Sequence, residues 1–244
     1  MLSFKSTESD AVIWNHVWDR DEIPTAYSFL PSRYERALEK VSYFIRAGVT
    51  FSTHDRVLEA GCGDGLVSLS LLSLFDVECH GVDFSENARK CALKAMGESN
   101  RYFDFSLADI RNTNYPDDYF DKIICLGVIE HFDPLDALIE LRRILKPGGT
   151  LILMTPNRLS SGKWQRILCQ KLGKWEFGYQ TEYTPDELAV LVEQAGLSSQ
   201  KTEVCLRYRS ANHCLQLQLI AIFDQLVNAV MPKWGFYSYV FATK

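Results

Sequence analysis

The nine residues VLEAGCGDG, Val57 to Gly65, hold the densest chemistry in the chain. A short apolar run closes on Glu59 and opens into Gly61, Gly63 and Gly65. Only glycine lets a backbone approach a ligand closely and adopt unusual φ and ψ, so a strand running into glycines and then a helical pattern reads as the edge of a nucleotide-like site. Packing alone also ends parallel strands this way. A dinucleotide fingerprint would place its third glycine at position 66, which is Leu66, and Asp64 would oppose a pyrophosphate where anions normally gain. The loop therefore reads as serving a nucleotide-like ligand other than a dinucleotide.

Two more acids fit a nucleoside that carries an amino acid. Asp83 closes the apolar run of Val77, Cys79 and Val82, at the carboxyl end of a second strand, where a carboxylate can accept both ribose hydroxyls. Asp109 follows the run from Tyr102 to Leu107 and can accept from an exocyclic adenine amine. Each acid alone reads equally well as a helix cap or a solvated loop charge; their order along successive strands points to a ligand. Glu130-His131 follows a fourth run, and a neutral histidine there suits removal of a proton from an oxygen acceptor near pH 7. His131 is thus the candidate catalytic residue, with loop orientation or packing beside the ligand as its structural alternative. His80 lies in a strand and reads as structural, His213 could approach from a C-terminal insertion, and His16 and His54 have weaker cases.

VLEAGCGDG, GVDFSENAR (Gly81 to Arg89), LADI (Leu107 to Ile110), FDKIICLGVIEHF (Phe120 to Phe132) and LRRILKPGGTLILMTPN (Leu141 to Asn157) together resemble, in order and spacing, the class I S-adenosylmethionine-dependent methyltransferases. The resemblance is to the type 11 group with its ubiquinone-biosynthesis-like enzymes; it spans roughly positions 55 to 157 and is loose elsewhere. It implies S-adenosyl-L-methionine as cofactor and S-adenosyl-L-homocysteine as product, bound by Glu59, Gly61, Cys62, Gly63, Asp83, Phe84, Asp109, Ile110 and Leu126. Methyl transfer from a sulfonium is an in-line displacement, served by alignment and water exclusion without a covalent nucleophile. The expected acceptor is a small or amphiphilic molecule methylated on oxygen. The Glu-His-Phe at 130–132 also resembles lipid cyclopropane synthases, which leaves carbon and nitrogen acceptors open.

The elements that must position these residues alternate along the chain. Helical spacing runs from Ser32 to Ala47, Leu66 to Leu74, after Ser85 to near Gly97, from Asp133-Pro134 to Leu145, and from the capping box Thr184-Pro185-Asp186-Glu187 to Gly196. Strands are expected at Arg56 to Ala60, up to Asp83, at Tyr102 to Leu107, Lys122 to Leu126, Thr150 to Met154 after a Lys146–Gly149 turn, near Lys201 to Leu206, and at Phe236 to Thr243. Repeated strand-helix units imply an α/β, mainly parallel, three-layer sheet. The resemblance adds a Rossmann-like sheet of seven strands in the order 3-2-1-4-5-7-6, strand 7 antiparallel.

The 244 residues, 47% of them hydrophobic, fit one domain: a helical cap over 1–50, a cofactor-binding core over 51–157, and substrate-side insertions or lids at 158–183 and 207–235. A net charge of −5 argues against a nucleic-acid partner. The start, MLSFKSTESDAV, predicts no secretory leader, and seven cysteines without a Cys-x-x-Cys pair disfavour zinc and set the expectation of no metal and a reducing cytoplasm.

Gly162 to Lys174 sets Trp164, Ile167, Leu168 and Leu172 against Lys163, Arg166, Lys171 and Lys174, an amphipathic pattern that reads as a solvated surface helix or as a peripheral contact with a membrane or an anionic substrate. Asn212 to Met231 is apolar but interrupted by Gln216, Gln218, Asp224, Gln225 and Asn228, which fits a lid or core helix rather than a spanning one. Trp14, Trp18 and Tyr27 can close over a ligand or pack in a core. Oligomeric state is not readable. The competing functions are a noncatalytic cofactor-binding scaffold and an NAD-linked oxidoreductase, the latter weakened by Asp64 and Leu66.

Overall fold

The computed structural model describes residues 8–19, 33–206 and 215–244. Its strands are β1 Arg56–Ala60, β2 Glu78–Asp83, β3 Asp104–Leu107, β4 Phe120–Leu126, β5 Leu145–Pro156, β6 Ser198–Cys205 and β7 Tyr237–Thr243. The helices are α1 Glu8–Trp18, α2 Arg33–Arg46, α3 Leu66–Leu74, α4 Glu86–Ser99, α5 Pro134–Ile144, α6 Ser161–Lys171, α7 Pro185–Gln194 and α8 Leu215–Val230, with a 3-10 turn at Ile129–His131. Among the described residues the strands form one seven-stranded sheet in the order β3-β2-β1-β4-β5-β7-β6. β7 runs antiparallel to β5 and β6, and the other pairings are parallel.

Central parallel strands are covered on both faces, so consecutive residues must be apolar whichever way they point. Leu58, Ile123, Leu151 and Val240 enter one core with Leu138 and Leu141 of α5 and Leu188 and Val192 of α7. Their neighbours Val57, Ile124, Ile152 and Tyr239 enter the opposite core with Val41 and Phe44 of α2, Leu71 of α3 and Met96 of α4. The three layers follow from that alternation.

The helix starts obey local chemistry. Ser85 accepts from the Ala88 amide at 3.1 Å, Asp133 caps α5 ahead of Pro134, and Thr184 and Glu187 close a reciprocal capping box on α7. Several strand boundaries differ from the sequence reading: β4 starts earlier, at Phe120, and β6 at Ser198, and two further differences have a local cause. β3 starts at Asp104, because Phe103 turns inward to fill the space beside Gly65 and Gly81. β5 starts at Leu145, and Lys146–Gly149 bulges out where the pairing steps from Phe120↔Leu145 to Lys122↔Thr150. Tyr27, His213 and Cys214 lie outside the described residues.

Candidate cofactor and acceptor site

At the carboxyl end of β1 the glycine loop folds back on β2. Gly61, Gly63 and Gly65 have φ of 72°, 53° and 68°, a region costly for any residue with a Cβ. The amides of Gly61 and Cys62 both donate to the Val82 carbonyl, at 2.8 and 3.0 Å, and Gly65 donates to the Cys62 carbonyl at 2.8 Å. The Gly63 amide donates to Asp83 Oδ2 at 2.9 Å, and the Ser85 amide to Oδ1 at 2.9 Å. These amides are thus engaged within the protein, whereas a pyrophosphate site needs them turned to the ligand. What the loop offers a ligand is carboxylates.

A cavity of about 550 Å³ opens over this loop, and Glu59, Gly61, Cys62, Gly63, Asp83, Phe84, Asp109, Ile110, Leu126 and His131 all line it, as does Asp64. Every sequence-predicted site residue therefore comes together in one place. Burial pushes Asp83 up against the opposing pull of the Ser85, Gly63 and Phe84 amides. Burial also pushes Glu59 up, to about 7, while its Oε2 accepts from the Ser68 amide at 2.9 Å and the Ser68 hydroxyl at 2.6 Å. Burial would raise Asp109 too, but Arg111 holds it below the usual range through its amide at 2.9 Å and its guanidinium Nε at 2.9 and 3.0 Å. Four acids around one cavity fit a ligand with cationic and hydroxyl groups, such as a sulfonium nucleoside bearing an ammonium, and repel a dinucleotide.

The sequence reading missed the cations. Arg33, Arg36 and Lys40 recur at i, i+3 and i+7 along α2 and line the cavity beside the buried Ala37. Arg33 pairs with Asp64 at 3.2 Å, its guanidinium 5.0 Å above the Trp18 ring. Burial pulls the Lys40 ammonium down against the opposing charges of Glu59 and Asp64, and all three residues line the cavity. That helical stripe was the available signal. The structure also explains the glycine at 63 differently from the expectation of ligand approach: a Cβ there would meet the Trp18 ring at 2.3 Å. Trp18 belongs to α1, which is tied to the start of α4 by hydrogen bonds from Ser85 Oγ to Asn15 Oδ1 at 2.8 Å and from Asn87 Nδ2 to the Asn15 carbonyl at 2.9 Å.

His131 sits where this cavity meets a second one of about 320 Å³, walled by Trp14, Trp18, Trp175, Phe177 and Tyr237 with Glu130 at its side. His131 Nδ1 donates to the Tyr179 carbonyl at 2.7 Å, and the ring stands edge-on to Trp14 at 4.8 Å. The strap that carries Tyr179 is pinned again by the Thr181 amide, which donates to the Glu130 carbonyl at 2.8 Å. Burial pushes Glu130 up to about 8, its Oε2 has no hydrogen-bond partner, and its Oε1 lies 4.0 Å from His131 Nε2. His80 is elsewhere, bonded to Glu78 at 3.0 Å and enclosed by Tyr115, Tyr119 and Phe120. His16 and His54 line neither cavity, and among the described residues of α8 none lines either. Among the described residues there is no cluster of three potential metal ligands and no helix long and apolar enough to cross a membrane.

Comparison with known proteins gives this geometry a context. Residues 58–153 match a family described as a methyltransferase domain. The chain is 29% identical over 208 residues to a ubiquinone biosynthesis O-methyltransferase of Xanthomonas campestris pv. campestris, covering 81% of this chain and 83% of that protein. It is 27% identical over 154 residues to one of Thiobacillus denitrificans, covering 60% of this chain and 66% of the relative. Among solved structures, a SAM-dependent methyltransferase of Thermotoga maritima superposes with a TM-score of 0.62 at 20% identity, covering 86% of this chain and 88% of that one. Phosphoethanolamine N-methyltransferase 2 of Haemonchus contortus, in complex with S-adenosyl-L-methionine, superposes with a TM-score of 0.61 at 16% identity, covering 98% of this chain and 57% of that one.

Proposed function

We propose that this chain, a class I S-adenosylmethionine-dependent methyltransferase, methylates an oxygen of a small or amphiphilic acceptor and that His131 removes the acceptor's proton. The observation that carries the reading is the hydrogen bond from His131 Nδ1 to the Tyr179 carbonyl. A carbonyl only accepts, so the neutral ring holds its proton at Nδ1 and its lone pair at Nε2, the nitrogen nearer Glu130. The relatives named as O-methyltransferases favour oxygen, and the aromatic walls of the second cavity favour a planar or apolar-bodied acceptor.

When bound, the cofactor supplies a methyl group on a positively charged sulfur. Asp83 would hold its ribose hydroxyls, Asp109 with Arg111 would border the adenine, Lys40 and Arg36 would take the carboxylate, and Glu59 would face the ammonium. The tryptophans of α1 and the strap residues Trp175 and Phe177 keep water from the acceptor, which preserves alignment for an in-line displacement. As the acceptor oxygen gains the methyl group, its proton passes to His131 Nε2. The resulting imidazolium lies beside Glu130, whose ionised form it favours. Segment 158–183 would act as the lid on this cavity.

The test is S-adenosylhomocysteine release with hydroxylated aromatic acceptors carrying apolar tails of graded length. With a turned-over acceptor in hand, His131→Ala should lower turnover ~10²- to 10⁴-fold while cofactor affinity holds. Unchanged turnover in the variant would overturn the base assignment, and methyl appearing only on nitrogen would overturn the oxygen assignment.

A further inference from the structure

Among the described residues four buried side-chain atoms have no hydrogen-bond partner: His80 Nδ1, Tyr115 Oη, Thr155 Oγ1 and Glu130 Oε2. Of these four residues, Glu130 alone lines one of the two cavities. It is 2% exposed, and a carboxylate enclosed that tightly without a paired cation is costly, so the free protein keeps the group as a neutral acid. Its surroundings agree. Glu182 on the strap repels its charge and is itself taken up by Arg166, while burial keeps Tyr183 and Cys125 neutral beside it. The cations of α2, Arg33, Arg36 and Lys40, border the same cavity, with Arg33 paired to Asp64 and Lys40 under the charges of Glu59 and Asp64.

Glu130 stands where the two cavities meet. Gly127 lines both, and a Cβ placed on it would come 3.6 Å from Glu130 Oε1; His131 also lines both, with Nε2 4.0 Å from the same oxygen. A methyl group that passes from one cavity to an acceptor in the other must cross here, so the sulfonium that carries it brings a positive charge to this point. A nearby cation favours the ionised acid, and the thioether left after transfer has no charge. We propose that Glu130 is a proton store keyed to the charge on sulfur, giving up its proton when S-adenosylmethionine binds and regaining one after the methyl group has left. The proton count closes. A sulfonium and a hydroxyl give a thioether, a methyl ether and one proton, and that proton leaves from Glu130 at binding. During transfer the S–C electron pair goes to sulfur, the acceptor oxygen bonds the methyl group, and its own proton passes to His131 Nε2, where the imidazolium meets a waiting carboxylate. With sulfur neutral, the proton moves on to Glu130 and both residues return to their starting forms. The transfer part of this cycle rests on His131 as the base; the release at binding rests on the methyl donor alone.

Isothermal calorimetry in buffers of differing ionisation enthalpy tests it without an acceptor. S-adenosylmethionine and S-adenosylhomocysteine share adenine, ribose, ammonium and carboxylate, so protonation changes at Glu59 or Lys40 cancel between them and the difference reports the sulfonium. Near about pH 7 the first ligand should release about one proton more than the second, and Glu130→Gln should erase that difference while both still bind. Binding that releases a proton strengthens as pH rises. The affinity for S-adenosylmethionine relative to S-adenosylhomocysteine should therefore climb roughly tenfold from about pH 6 to about pH 8 in the natural chain and stay level in Glu130→Gln. Equal proton release by the two ligands, a level affinity ratio in the natural chain, or a difference that persists in folded Glu130→Gln overturns the proposal. Failure of the base assignment reads differently, as full turnover in His131→Ala with the proton difference intact.

Discussion

Asp83 ties the glycine loop to the start of α4 and still lines the cavity: its two oxygens each accept a backbone amide, yet the residue stays on the cavity wall. It and Glu59 were legible because a carboxylate that ends a buried strand has few structural reasons to be there. Lys40 and Arg111 were not, since nothing local says which face of α2 meets β1 or that Arg111 folds back on Asp109. Lys40→Met should weaken S-adenosylmethionine binding roughly tenfold by calorimetry, the loss of one charged hydrogen-bond partner. Glu130 gives a pH prediction. Its carboxyl stays protonated in the folded state up to about 8, against an ordinary 4.5, so the fold holds a proton that the unfolded chain releases. Stability from this group is full below the unfolded value and is lost as pH rises through the folded one. Urea unfolding should therefore show a decline from about pH 5 to pH 8, on the order of a few kcal/mol, that Glu130→Gln makes shallower, most of all above pH 7 where the share from Glu59 is already spent. An identical slope in the variant would place the charge elsewhere.

At the scale of elements, the strand ends and caps were readable because each rests on contacts within a few residues, as Thr184 with Glu187 does. Thr184→Ala should cost about 1 kcal/mol and lower Tm by ~2 to 4 °C. Lys146–Gly149 reads from sequence as a plain turn, because the strand pairing with β4 that makes it a bulge is a tertiary fact. The docking of α1 was equally hidden, as it depends on Trp18 meeting a glycine 45 residues away in the chain. Gly63→Ala puts a Cβ into that ring and a side chain at a φ of 53°, so it should displace Trp18, shift tryptophan emission to longer wavelength and weaken cofactor binding together. Weakened binding with unshifted emission would mean that the glycine serves the ligand alone.

For the whole molecule, the sheet order and three layers match the expectation from the five motifs, and the matched family region stops at residue 153. What surrounds that core sets the chemistry's surroundings: the cations of α2, the tryptophans of α1 and the strap from 173 to 183 all lie outside it. They were less legible since no periodicity tells where an added helix docks. The acid-lined cavity, whose loop amides are already engaged, suits a sulfonium nucleoside and disfavours a dinucleotide. Isothermal calorimetry with S-adenosylmethionine and NAD, on the natural chain and on Asp83→Ala, tests this most directly. The prediction is measurable S-adenosylmethionine binding, no NAD binding, and a ten- to hundredfold loss in the variant, about 1.5 to 3 kcal/mol. Binding of NAD by the natural chain, or full S-adenosylmethionine affinity in a folded Asp83→Ala, would contradict it.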